Sequence, residues 1–309
     1  MGPNKFPITS GKALMSENVF SLPGPFELQR IVEFEGAFTP PEHLFPDATP
    51  AQVAASAAYR EPRYFDQQQN LLVMAFHSIL IRTPSHTILV DTCLGNDKPR
   101  PNVEIWHQRQ GTYLADLAAA GVAPESVDIV MCTHLHADHV GWNTQLKDGQ
   151  WVPTFPNAQY LFASQEVDHW QQELERRPAA EVNHDSWADS VAPIFEAGKA
   201  VLVGSEDEIT TGVRILPAPG HTPGNVMLLL EDRDERGYVL GDAIHHPIQV
   251  DYPQWSSRFC HDPALSHKTR RQILTRAAEE RAWILPAHFP TPTAATVCRT
   301  TQGFALGPP

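Results

Sequence analysis

Cysteine is scarce in this sequence of 309 residues: four are present, at positions 93, 132, 260 and 298, with no C-x-x-C pair. So sparse a set gives neither a disulfide framework nor a thiolate zinc knot, and a reducing cytoplasm is the simpler setting. Positive charge is also short. Lysine and arginine number 23 against 36 aspartates and glutamates, a formal charge of -13 that repels polyanions, so nucleic acid is not expected as a partner. The densest basic run, His267-Lys268-Thr269-Arg270-Arg271, reads as a solvated helix face. No stretch approaches the ~18 apolar residues of a membrane span, and the first 20 residues lack the apolar core of a signal peptide. Phe6 stands where a myristoylation signal wants a hydroxyl. There is no G-x-S-x-G for a serine nucleophile, no internal repeat and no low-complexity linker. The expectation is a cytoplasmic protein away from membranes; a homodimer is compatible with the sequence, which does not fix the oligomeric state.

What is present alternates. Residues 1–30 are polar and irregular, and residues 31–38 suggest a first strand before the Pro-rich PPEHLFPDATP. Residues 51–59 are helix-prone after a Thr49-Pro50 start. Residues 71–82 and 87–91 read as a hairpin of apolar strands. A helix over 113–120 and a buried strand over 127–132 follow, then a strand over 159–162 and a helix over 164–177 with Ser164 as cap. Strands are expected at 200–203, 213–216, 226–230 and 238–240, a helix at 263–280 and a short final strand at 283–285. Hairpins mixed with strand–helix alternation point to α/β architecture with two packed sheets and helices outside. Residues 1–70 would be an N-terminal extension packed on a domain spanning 71–309, the whole forming one unit.

The decisive segment is Thr133-His134-Leu135-His136-Ala137-Asp138-His139, directly after the buried strand. In extended chain, residues i and i+2 face the same way, so His134 and His136 can converge on one ion. A turn into a helix would aim Asp138 and His139 at a neighbouring one. Imidazole and carboxylate without thiolate suit zinc, and equally manganese, iron or cobalt. Three further pieces agree: Pro219-Gly220-His221-Thr222-Pro223-Gly224, Gly241-Asp242 at the end of an apolar strand, and Ala287-His288 at the end of another. Taken singly, each is more often a turn residue; their order and context beside the first motif carry the argument.

H-x-H-x-D-H, then P-G-H-T-P-G, then G-D, then a last A-H resembles the metallo-β-lactamase superfamily over roughly residues 71–289. The resemblance implies an αββα sandwich and a metal-dependent hydrolase. It gives one ion to His134, His136 and His221, the second to Asp138, His139 and His288, with Asp242 shared, and Asp91 supporting the ligand loops from behind. Cys93 stands where that family's D-T-G has glycine. Two divalent ions, zinc foremost, would activate a water for metal-assisted hydrolysis of a small-molecule substrate. Asp138 would relay a proton to the leaving group.

GDAIHHPIQ, with PQWSSRF and a TRR helix, is similar to the branch containing methyl parathion hydrolase and acyl-homoserine lactonases. That implies a lactone or carboxylic ester, with an organophosphate as alternative. A glyoxalase-II-like thioesterase, or a persulfide dioxygenase using one iron, remains a competing reading. Lactonases of this kind often carry tyrosine three residues past the bridging aspartate. Here His245 takes that place, a candidate donor to the substrate oxygen. Trp142, His245, His246, Trp255, Phe259 and Phe289 are the candidate pocket residues, with Trp142 and Phe289 favoured because they adjoin ligand segments. Trp106, Trp170, Trp187 and His184 are read as structural or as part of a lid.

Overall fold

The computed structural model describes residues 19–21, 25–174, 183 and 185–307. Two large sheets face each other. The first runs Val19–Ser21, Glu27–Thr39, Leu71–Arg82, Thr87–Val90, Ile129–Cys132, Gln159–Ala163 and Ala200–Val203 in spatial order, with the short Phe65–Asp66 also on Leu71–Arg82. The second runs Glu208–Thr210, Val213–Pro217, Val226–Asp232, Glu235–Gly241, Trp283–Pro286, Ala295–Thr300 and Gly303–Gly307.

Side-chain alternation along each strand builds the layers. Ile129 and Met131 join Val226, Leu228 and Leu230 in the core between the sheets. Val130 and Cys132 face the other way, against Tyr113, Leu117, Val167 and Trp170 from the helices Tyr113–Ala119 and Ser164–Glu173. Met227 and Leu229 likewise turn outward onto Ile273, Leu274 and Ala277 of the helix Pro263–Glu280. Helix, sheet, sheet, helix is the αββα sandwich.

Local chemistry sets the helix ends. Asp262 accepts from Leu265 N at 2.9 Å and Pro263 opens the long helix, as the sequence predicts. Thr49 caps Pro50–Ala55 in the same way, although that helix stops well short of residue 59. Ser164 does not cap: its hydroxyl donates to Val203 O, and the helix begins without a side-chain cap. Trp283–Pro286 is not the last strand either, since the hairpin Ala295–Thr300/Gly303–Gly307 extends that sheet.

Two expectations change in substance. The segment before residue 71 does more than pack on the core, because Glu27–Thr39 pairs along Leu71–Arg82 inside the first sheet. The basic run is not uniformly solvated. Arg270 is fully buried and donates to Pro253 O, Ala243 O, Ser256 Oγ and Ser266 Oγ, stapling the 243–256 loop to the helix.

Candidate metal centre

The site lies where strands of both sheets end on ligand-type residues. Past Cys132 the chain bends through Thr133 and His134, is extended at His136 (φ -69, ψ 156), and then turns into the short helix Ala137–Val140. Thr133 anchors this segment: its N donates to Asp91 Oδ1 at 2.7 Å and its hydroxyl to Asp91 Oδ2 at 2.9 Å. Asp91 itself sits at φ 56 and Cys93 at φ 49. The glycine-like backbone of that turn is therefore kept by a cysteine. From the other sheet, Gly241 brings Asp242 in. A Cβ on Gly241 would lie 2.5 Å from Thr133 Oγ1, so the close approach of the two ligand segments requires glycine there.

Two groups of donors result. His134, His136, His221 and Asp242 form one and Asp138, His139 and His288 the other, with ligand atoms within 4.8 Å of one another in each. Asp242 faces both. Its Oδ2 is 3.2 Å from His221 Nε2 and 3.8 Å from His134 Nε2, while Oδ1 is 3.1 Å from His288 Nε2 and 3.3 Å from His139 Nε2. Outer nitrogens are held: His139 Nδ1 by Asp91 Oδ2 at 2.8 Å, His288 Nδ1 by Ala75 O at 2.9 Å, and His134 Nδ1 beside Thr133 Oγ1 at 3.1 Å.

The donors fit divalent cations. His139 Nε2 and Asp242 Oδ1 are buried without a hydrogen-bond partner, an arrangement that costs free energy unless a cation completes it. Electrostatics agree. Burial pushes Asp242 up, but His288, His139, His245 and His221 outweigh it and hold the carboxyl well below its ordinary range. Burial pulls His221 down, yet Asp242 carries it up to about 10. Burial and then neighbouring His139 and His136 depress His134. Imidazoles thus compete for protons around one carboxylate, and a metal ion binding there would displace those protons.

A cavity opens onto both groups. Its polar floor is His136, Asp138, His221, Asp242, His245 and His288, with Asn183 alongside; its walls are Phe38, Leu44, Met74, Phe76, Trp106 and Phe259.

A family model described as the metallo-beta-lactamase superfamily matches residues 77–288. The chain belongs to the metallo-β-lactamase superfamily. Metallo-beta-lactamase domain-containing protein 1 from Xenopus laevis is 30% identical over 183 residues, 58% of this chain and 61% of that protein. An N-acyl homoserine lactonase from Bacillus cereus is 25% identical over 186 residues, 55% of this chain and 64% of the relative. The chain thus spans somewhat under two thirds of the length of these curated relatives. Among solved structures, the hydrolase AbOPH in the beta lactamase superfamily has TM-score 0.78 at 22% identity, covering 94% of this chain and 96% of that one. AidC, a dizinc quorum-quenching lactonase in complex with a product, has TM-score 0.75 at 21% identity with the same coverage. These likenesses share the fold. No helix among the described residues is long and apolar enough to cross a membrane.

In this superfamily member the seven ligand-type residues read from the sequence come together, and Asp91 stands behind one of them, His139, and behind Thr133, the residue that precedes His134. The pocket expectations divide. His245 and Phe259 line the cavity. Trp142 does not: it stacks on Tyr113 and donates to Glu33 Oε1 at 2.8 Å, because the 3-10 turn Gly141–Asn143 carries it away. Phe289 falls in the helix-side core of the second sheet, opposite its neighbour His288. Trp255 packs on Tyr252 and Phe45. His246 turns outward to Tyr64 O at 2.9 Å and accepts from Ile248 N. Trp106, read as structural or lid, is part of the cavity wall, whereas Trp170 and Trp187 sit in the helix-side core of the first sheet. His184 lies outside the described residues. Phe38, Leu44, Met74, Phe76 and Asn183 were not singled out from the sequence.

Proposed function

We propose that this chain hydrolyses a lactone or carboxylic ester at two divalent metal ions, zinc foremost, with manganese, iron or cobalt as alternatives. The observation that carries the reading is Asp242, which turns one carboxylate oxygen to each donor group. His134, His136 and His221 would hold one ion, Asp138, His139 and His288 the other, with Asp242 shared. Two such ions supply an activated water and an electrophilic contact for the carbonyl oxygen.

The remaining work falls to side chains. Asp138, at 12% side-chain exposure the most open of the two carboxylates, faces the cavity and is placed to pass a proton to the departing alkoxide. His245 is kept neutral, pushed down to about 3 by burial against the partial opposition of Asp242. Its Nδ1 has no hydrogen-bond partner, and its Nε2 lies 3.3 Å from Asp242 Oδ2. A neutral ring still offers one N–H, which suits donation to a substrate oxygen.

The cavity's six apolar wall residues suit a hydrocarbon arm, and the likeness to N-acyl homoserine lactonases supports an acyl one. This favours lactones and esters over phosphotriesters, thioesters and persulfides. Protein purified without chelator should carry two ions per chain by elemental analysis. It should turn over lactones or esters fastest in a panel that includes those classes and a chromogenic β-lactam. One tight ion with no gain on adding zinc, manganese or cobalt would overturn the two-ion reading, and a β-lactam faster than every lactone and ester would overturn the substrate class.

A further inference from the structure

Three histidines of the centre rest their outer nitrogen on oxygen: His134 on Thr133, His139 on Asp91 and His288 on Ala75. His221 differs. Its Nδ1 meets Cys260 Sγ at 3.6 Å, and among the described residues no oxygen is hydrogen-bonded to that nitrogen. The sulfur is itself fixed, 3.4 Å from Ser266 Oγ and 3.6 Å from Ser257 Oγ. Ser266 in turn accepts from the buried Arg270.

The backbone makes the same connection. His261 N donates to His221 O at 2.8 Å and Asp262 N to Gly220 O at 3.0 Å, so the segment carrying Cys260 clasps the segment carrying His221. Gly220 adopts φ +128, and a Cβ there would lie 2.3 Å from Ser266 N. The two segments can approach so closely only through glycine.

We propose that Cys260 is a positioning residue for the metal centre: its sulfur accepts a hydrogen bond from the Nδ1–H of His221, which keeps the proton on Nδ1 and leaves Nε2 free to face the ion. The proposal rests on the two-ion reading given above. A neutral imidazole carries one N–H, and the partner at the outer nitrogen decides which nitrogen keeps it. His221 Nε2 points at His136 Nδ1 (2.9 Å) and Asp242 Oδ2 (3.2 Å), the interior of the first donor group. For that nitrogen to ligate, the proton must be on Nδ1, where sulfur is the acceptor at hand. Phe259, next to Cys260, lines the cavity, so one short loop both borders the substrate space and orients a ligand.

The test compares full-length wild type, Cys260→Ala and Cys260→Ser, loaded with zinc and titrated against a chromophoric chelator. Zinc affinity is the readout, independent of turnover, and thermal unfolding of each metal-free protein monitors the fold. Cys260→Ala should weaken one of the two ions by about 10- to 100-fold, the usual cost of losing such a partner, and leave the other unchanged. Cys260→Ser, whose hydroxyl oxygen can accept the same N–H, should recover most of the loss. Unaltered affinity for both ions in Cys260→Ala would overturn the proposal while leaving the two-ion reading intact. Equal losses in both variants with a lowered metal-free midpoint would overturn it too, reducing Cys260 to packing. Wild type that binds no zinc would overturn both readings together.

Discussion

His245 and His246 are neighbours and both buried, yet their rings have different surroundings and so predict different phenotypes. His245 lines the cavity with Nδ1 unpartnered, whereas His246 bridges Tyr64 O and Ile248 N and does not line it. His245→Ala should cut turnover by roughly ten- to a thousandfold, the upper part being what one oxyanion donor typically contributes, and leave metal content intact. His246→Ala should instead lower the thermal midpoint, since Ile248 N loses its acceptor in a buried place. Turnover, zinc content and unfolding measured on both variants separate these outcomes. Equal, small effects on turnover would leave oxyanion stabilisation to the metals alone. Asp138→Asn tests the proton relay in the same assays: turnover should fall far more than stability, and near-normal hydrolysis would remove the role assigned to that carboxylate.

At the level of elements, the strand Leu71–Arg82 joins the apolar wall to the ligands. Phe76 packs edge-on to His288 at 4.9 Å between ring centroids, and Phe38 and Trp106 lie 5.1 and 5.9 Å from Phe76. An acyl arm leaving the ions on this side would meet Phe76 first and Trp106 or Phe38 beyond it. Trp106→Ala should therefore raise KM for long-chain esters or lactones while sparing acetyl ones. Each methylene that loses its contact is worth about 0.8 kcal/mol, close to fourfold. KM measured across a chain-length series checks this, and a uniform change at every length would place Trp106 outside the arm's path.

The ligand motifs were legible because metal chemistry admits few residue types at few spacings. The wall was not, and the reason is local. LLVMAFHSILIR is apolar on both faces, so alternation cannot say that Met74 and Phe76 border a cavity while Leu80 faces a helix layer. Trp142 and Phe289 misled because adjacency along an extended or turning chain sends neighbours to opposite sides. Arg270 misled in another way: it shares the helix face of Ser266, Ile273 and Ala277, all buried, so its position spoke for burial while its charge spoke against it. The terminal hairpin, with Arg299, Thr300, Thr301 and Gln302 around its turn, offered too little apolar pattern to announce two strands.

Across the whole molecule, the seven ligand-type side chains come from four separated stretches, at 134–139, 221, 242 and 288, contributed by both sheets. An unfolded chain cannot hold such donors around a point, so ions would bind the folded form almost exclusively. Folding and metal supply then become one equilibrium. Each tenfold rise in free zinc above the dissociation constant adds about 1.4 kcal/mol of stability per ion. The unfolding midpoint should climb steadily when the protein is melted in zinc buffers of increasing free concentration, and a midpoint indifferent to zinc would refute preferential binding to the native state. If ions bind as proposed, the same coupling in a cell would make abundance a gauge of metal status. Chains made during zinc starvation would open more often, meet proteases in that state and be cleared, whereas chains made in plenty would persist.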